Sequence, residues 1–236
     1  MHKTLASAQI HVAVDLMIVT VRDGKMAVLL SRRPQAPCAG CWALPGHLLP
    51  LEESAETAAE SLLREMLPID GAYREQLFTF TDVSRDPRGR VISIAYLVLV
   101  PWQRLEGCLT REEVKLACFT VCDDAKQSAL VGPETILLDG PQLAFDHGQI
   151  IRTGIRRLQG KISYTDVGFH FLQSTDAFSL RELQMIFEAV LGEEMDKSNF
   201  RRSILARYET TGHISQTEDI QKSGRGRPAV LYRYIP

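Results

Sequence analysis

The run Val91–Val100, Val-Ile-Ser-Ile-Ala-Tyr-Leu-Val-Leu-Val, is long, apolar and rich in β-branched side chains, and it reads as a buried strand. A second run, Val12–Val21, is too short to span a membrane and carries Asp15 within it. It alternates in the manner of a strand rather than a signal peptide. With Met26–Ser31 it flanks Arg22-Asp23-Gly24-Lys25, the pattern of a hairpin. Between the long runs lies a helix over Ala55–Leu67, with Ser54 as N-cap and Pro68 as its stop. Its Ala58, Ala59, Leu62, Leu63 and Met66 share one face. At 236 residues and 45% hydrophobic content, the chain can build one large core or two smaller ones.

A further helix is predicted after Asp146, with Asp146 and Gln149 as a capping pair, running through Leu158. After a mixed connector, a compact tail opens on Ser179-Leu180-Arg181-Glu182, a capping box in which serine and glutamate satisfy each other's orphan backbone donors. Leu183, Ile186, Phe187, Val190 and Leu191 continue it as an amphipathic helix ending at Gly192. The next helix starts at Asp196. At about 100° per residue, Phe200, Ile204, Leu205 and Tyr208 fall in one arc, and Ser198, Asn199, Arg202, Ser203 and Ala206 point away from it. Arginine can read guanine, asparagine adenine, and alanine a thymine methyl, although the same residues also suit a solvated face. His213–Ile214 and Ala229–Ile235 read as short strands around Lys-Ser-Gly-Arg-Gly-Arg-Pro, a glycine-rich turn carrying Arg225 and Arg227. Two helices followed by a hairpin with a basic tip give a winged helix-turn-helix, whose wing meets phosphates or the minor groove.

The net charge of −2 excludes a generally basic polyanion binder. From Lys197 to the C-terminus, however, the chain carries net +5, which leaves −7 elsewhere. Five cysteines suit a reducing, cytosolic setting without disulfides. Cys38-Ala39-Gly40-Cys41 has metal or redox spacing, but Cys118 and Cys122 are spaced wrongly to complete a zinc site. Free thiols are the better reading.

The stretch CWALPGHLLPLEESAETAAESLLREMLPI, residues 41 to 69, resembles the Nudix box: a glycine, five spacers, a glutamate, seven spacers, then R-E-U-x-E-E-x-G-U with U apolar. One register opens on Gly46 and Glu52. The other opens on His47 and Glu53, and is preferred because Glu53-Ser54 then falls where the family often has Glu-Ser. The preferred register reads Ser61-Leu62-Leu63-Arg64-Glu65-Met66, with Pro68 in place of the last glycine. In both, Glu65 alone remains of the three helix carboxylates that hold metal in active members. Magnesium wants six oxygens in tight geometry, so no catalytic residue, metal or cofactor is expected.

DVSRDPRGRVISIAYLVLV (82–100), LAFDHGQII (143–151), FSLRELQMIFEAVLGEEMDKSNFRRSI and GRPAVLYRY extend the resemblance. The chain is similar to the Nudix-related transcriptional regulators of NAD metabolism, with residues 101 to 140 poorly matched. The resemblance implies an α+β fold, an α/β/α Nudix-like sandwich over residues 1–158, a connector over 159–177 and a winged helix over 178–236. It further implies a homodimeric repressor on a palindromic operator in double-stranded DNA. Release would come from a nucleotide-type or phosphorylated effector such as ADP-ribose, or from a sugar as in related branches. A retired active site makes a sensor pocket, for which Arg32, Arg33, Arg85, Arg88 and Arg90 are the available cations and His147 a lining candidate. Arg88 and Arg90 are favoured because Pro87 and Gly89 form a tight turn that presents them. The rival readings are a working hydrolase of nucleoside diphosphate derivatives and an adaptor whose winged helix has lost DNA.

Overall fold

The computed structural model describes residues 9–67, 69, 71–109, 116–123, 128–221 and 229–236. Strands β1 (His11–Arg22) and β2 (Lys25–Arg32) form the expected hairpin. Asp23 (φ 50°) and Gly24 (φ 70°) both take positive φ, the backbone twist that a two-residue hairpin turn requires. β3 (Trp42–Ala43) pairs with the end of β2, and β4 (Gly46–Leu48) pairs with the first half of β1. Helix α1 (Ala55–Met66) follows. Ser54 Oγ accepts the Thr57 N–H at 3.1 Å, and Leu67, as the residue before a proline, is extended.

β5 (Tyr73–Phe80) leads to β6 (Val91–Leu99), which runs parallel to β1 from His11 beside Val91 to Val19 beside Leu99. The poorly matched segment, residues 101 to 140, contributes α2 (Trp102–Glu106), β7 (Leu116–Asp123), β8 (Ser128–Val131) and β9 (Thr135–Leu137). The sheet order is β5-β6-β1-β2-β7-β8-β9. Alternate residues of β1 serve opposite faces. Val14, Leu16 and Ile18 join Leu62 and Leu63 of α1 in one core, and Met17 and Val19 join Ile151 and Ile155 of α3 (His147–Lys161) in another. Both faces of β1 are buried, so Val12–Val21 is not the alternating strand expected from the sequence but, like Val91–Val100, apolar at nearly every position.

One expectation changes here. Asp146 stands at the N-cap of α3, but its side chain caps nothing and does not pair with Gln149, because the guanidinium of Arg85 occupies it. Within the stretch 159–177, expected as a connector, Ile162, Val167, Phe169, Phe171 and Leu172 join the core. α3 continues to Lys161, and the 3-10 turn Val167–Phe171 buries Phe169 and Phe171. The Phe169 ring stacks on Tyr234 at 4.2 Å and meets Tyr208 edge-on at 5.0 Å.

The tail comprises β10 (Phe178–Ser179), α4 (Leu180–Leu191), α5 (Lys197–Ile204) with a wide last turn over Leu205–Glu209, β11 (Ile214–Gln221) and β12 (Ala229–Tyr234). Its sheet order is β10-β12-β11, so the architecture is a winged helix. Leu183 and Phe187 of α4 belong to the same core as Val28 and Leu30 of β2, so one apolar cluster runs from the sandwich into the winged helix. Among the described residues no helix is long and apolar enough to cross a membrane.

Candidate functional site

An open cleft of about 710 Å³ lies between α1 and the chain that leaves β2. Arg32, Arg33, Pro34 and Gly40 form one wall, Ala43 to Gly46 the floor, and Leu62 and Met66 of α1 the other wall. The described lining includes no carboxylate. Glu65 is exposed and lies outside it. Arg33 also borders a smaller compartment of about 140 Å³ with Arg88, Phe145 and His147, so the two spaces share a wall. The Arg33 guanidinium carbon lies 4.8 Å from the centre of the Phe145 ring, with that of Arg88 at 5.6 Å. Phe145 takes φ 54°, a costly conformation for a bulky side chain, and its ring lies against two cations.

The smaller compartment is lined by a buried polar network that includes Asp15, Arg85 and His147. Arg85 donates to both carboxylate oxygens of Asp146, at 2.7 and 3.0 Å, and stands 3.5 Å from Asp15. Ser93 Oγ donates to Asp15 as well. The Leu44 backbone N–H donates to His147 Nδ1 at 2.8 Å, so the ring hydrogen resides on Nε2, which faces Asp15 Oδ1 at 3.7 Å. Burial pushes His147 below its ordinary value, against the pull of Asp15 and Asp146, and the ring is neutral. At Asp86 burial opposes ionisation. The bonds from Arg88 outweigh it and hold the carboxyl low. A Cβ on Gly46 would lie 2.1 Å from Asp15 Oδ1, so glycine is required where β4 crosses Asp15.

Of the five expected cations, Arg32, Arg33 and Arg88 border the two compartments with their guanidinium groups on the surface side. Arg85 lines the smaller one but is 3% exposed and spent on internal carboxylates. Arg90 lines neither, and its guanidinium donates to the Thr81 carbonyl at 2.8 Å. His147 faces the compartment as an internal, neutral ring. Sequence reasoning passed over Phe145 and treated Asp15 only as an interruption of an apolar run. An acid inside a buried strand was the signal to follow, since burying a carboxylate without partners is costly.

The second candidate surface is on α5. Asp196 caps it by accepting the Asn199 N–H at 2.8 Å. Phe200, Ile204 and Tyr208 are buried, Leu205 is half-buried, and Ser198, Asn199, Arg202, Ser203 and Ala206 are exposed, as the helical phase predicts. Arg202 donates to Asn199 Oδ1 at 2.8 Å, which aligns the two side chains on one face. The angle of α5 is set by a clamp the sequence did not reveal. Glu188 Oε1 accepts from the Met195 N–H and from Gln184 Nε2, and Gln184 Nε2 also donates to the Met195 carbonyl. Arg225 and Arg227 lie outside the described residues.

Residues 168–234 match the family model of the NrtR DNA-binding winged helix domain. The chain is 31% identical to the ADPR responsive transcriptional repressor NtrR of Acinetobacter baylyi, over 94% of this chain and 80% of that protein. It is 30% identical to an ADP-ribose pyrophosphatase of Methanocaldococcus jannaschii, over 64% of this chain and 78% of that enzyme. Among solved structures, Shewanella oneidensis NrtR in complex with a 27mer DNA aligns with a TM-score of 0.75 and 30% identity, covering 95% of this chain and 93% of that one.

Proposed function

This chain belongs to the NrtR family of transcriptional repressors, and from that premise we propose that it binds its operator as a homodimer and is released by an ADP-ribose-type effector, held without metal and without hydrolysis in the cleft between Arg33 and α1. The observation that carries this reading is the cleft's lining: a pair of arginines opposite Leu62 and Met66. Guanidinium groups suit a diphosphate, which they bind through charge-assisted hydrogen bonds. The apolar wall of Leu62 and Met66 suits a base or ribose. A divalent metal does not fit this lining, because magnesium needs oxygen ligands in near-octahedral order and α1 turns two apolar side chains to the cleft. In the preferred register of the box those are the positions of two of the three metal-binding carboxylates.

On the DNA side, Ser198, Asn199, Arg202 and Ser203 would enter the major groove, with Arg225 and Arg227 on phosphates or in the minor groove. A single winged helix reads few bases, so a two-fold dimer on a palindromic site doubles the contacts and fixes half-site spacing. The effector can release DNA only by favouring an arrangement that binds DNA less well. The apolar cluster shared by the sandwich and α4 supports such coupling. The regulated genes implied by the resemblance are those of NAD or related cofactor metabolism.

The similarity to a pyrophosphatase keeps the enzyme reading open to test. Titration calorimetry should give the same ADP-ribose affinity with EDTA as with magnesium, and prolonged incubation with magnesium or manganese should leave ADP-ribose intact. Metal-dependent turnover that disappears in Glu65→Gln would overturn the proposal in favour of a hydrolase.

A further inference from the structure

Cys38 and Cys41 close a turn in which the Cys41 N–H donates to the Cys38 carbonyl at 3.1 Å, with Gly40 at φ 80°. A turn of this kind brings its end Cα atoms within about 7 Å, close to the span that a disulfide bridges. Both cysteines are free and only partly buried, so small reagents reach them. The Cys41 thiol donates to the Pro141 carbonyl at 3.5 Å.

The same turn straps down the cations of the cleft. Arg32 Nε donates to the Gly40 carbonyl at 2.9 Å, and Arg33 Nε donates to the Pro37 carbonyl at 3.0 Å. The Arg33 backbone N–H donates to the Cys41 carbonyl, and the Gly40 N–H donates back to the Arg33 carbonyl. Thiol pair and arginine pair are thus one hydrogen-bonded unit.

We propose that Cys38 and Cys41 form a reversible intramolecular disulfide that weakens effector binding in the adjoining cleft, an inference that rests on reading that cleft as the effector site. The oxidant is a small disulfide such as oxidised glutathione. The thiolate of one cysteine attacks its S–S bond and expels one glutathione thiolate, leaving a mixed disulfide. The second cysteine, deprotonated, attacks the protein sulfur of that bond and expels the other glutathione. The protein gives up two protons and two electrons, and the oxidant leaves as two thiols. Forming the bond ends the thiol donation to Pro141 and draws Cys38 towards Cys41. The carbonyls of Pro37 and Gly40 that anchor both arginines move with it. Burial and the neighbouring Cys38 raise the Cys41 thiol, so the exchange quickens as pH rises. An oxidised repressor would stay on its operator at effector concentrations that release the reduced form.

The test treats the full chain with oxidised glutathione, alkylates the remaining thiols and maps the peptides by mass. The peptide holding Cys38 and Cys41 should lose two hydrogens and resist alkylation, while the other cysteines are modified. The ADP-ribose dissociation constant, measured by calorimetry, should rise about fivefold or more and return after dithiothreitol. The double variant Cys38→Ser with Cys41→Ser should bind ADP-ribose like the reduced protein, whether or not oxidant is present, and each single variant should stop at the mixed glutathione disulfide. Thiols that remain alkylatable, cross-links to other cysteines, or a disulfide that leaves the affinity unchanged would each overturn the proposal. If the reduced protein fails to bind ADP-ribose, the cleft reading falls and the coupling with it, while the peptide map still decides the disulfide.

Discussion

Replacing Arg85 with methionine keeps much of the side-chain stem and removes the guanidinium. In the folded protein that group is 3% exposed, bonded to Asp146 at 2.7 and 3.0 Å and 3.5 Å from Asp15, whose side chain is 8% exposed. The variant leaves two carboxylates in a buried compartment without their cation. Removing one partner of such a pair costs about 3–5 kcal/mol, a large share of a total stability of about 5–15 kcal/mol. For a chain of this size each kcal/mol moves Tm by about 2–4 °C, so a fall of roughly 6–20 °C is expected. The companion Arg85→Met with Asp146→Leu removes both members of the closer pair and should recover part of the loss, since apolar replacement of a whole pair is often neutral. Differential scanning calorimetry, with and without ADP-ribose, separates the two roles this arginine could have. An internal counterion gives a low Tm with effector-dependent stabilisation retained. An effector-binding cation gives a near-normal Tm and no stabilisation. A single variant melting within about 2 °C of the parent, or a double variant less stable than the single, would refute the counterion argument.

Arg32→Ala and Arg33→Ala should each lower ADP-ribose affinity roughly tenfold, the value of one charge-assisted hydrogen bond, with operator affinity near normal by fluorescence anisotropy. Arg90→Ala should leave the effector affinity unchanged, and a loss there would move the cleft. Arg202→Ala or Asn199→Ala should cost about 1–3 kcal/mol on the cognate operator and relax specificity. Arg225→Ala should instead weaken binding to every sequence and flatten the salt dependence; normal operator binding by Arg202→Ala would refute the phasing of α5. Because burial depresses His147 in the folded state, the unfolded chain takes up a proton below its ordinary 6.5 that the folded chain resists. Stability is therefore unaffected by this group above pH 6.5 and falls on acidification. His147→Asn keeps an acceptor for the Leu44 N–H, and its Tm should decline less between about pH 6.5 and 5; equal slopes would clear His147 of the effect.

The sequence by itself determined those features whose causes lie within a few residues. Asp23-Gly24 makes its turn because both take positive φ, and Ser54, Ser179 and Asp196 cap their helices through hydrogen bonds reaching only three residues ahead. The inward and outward faces of α5 follow from helical period alone. The resemblance to known motifs supplied the two-part architecture. Tertiary structure decided which charges are available. Arg85, Arg88 and Arg90 look alike in one short loop, yet one neutralises carboxylates from β1 and the start of α3, one pairs with Asp86 at a compartment wall, and one ties its own loop. Asp146 had a local reading as a helix cap and lost that role to an arginine 61 residues away. The burial of Phe169 likewise depends on Tyr208 and Tyr234, distant in the chain, packing against its ring. Local hydrogen bonds and helical phase are short-range and repeat with the chain. The fate of a buried charge or ring depends on which distant partner the folded sheet brings within a few ångströms, and no spacing in the sequence encodes that distance.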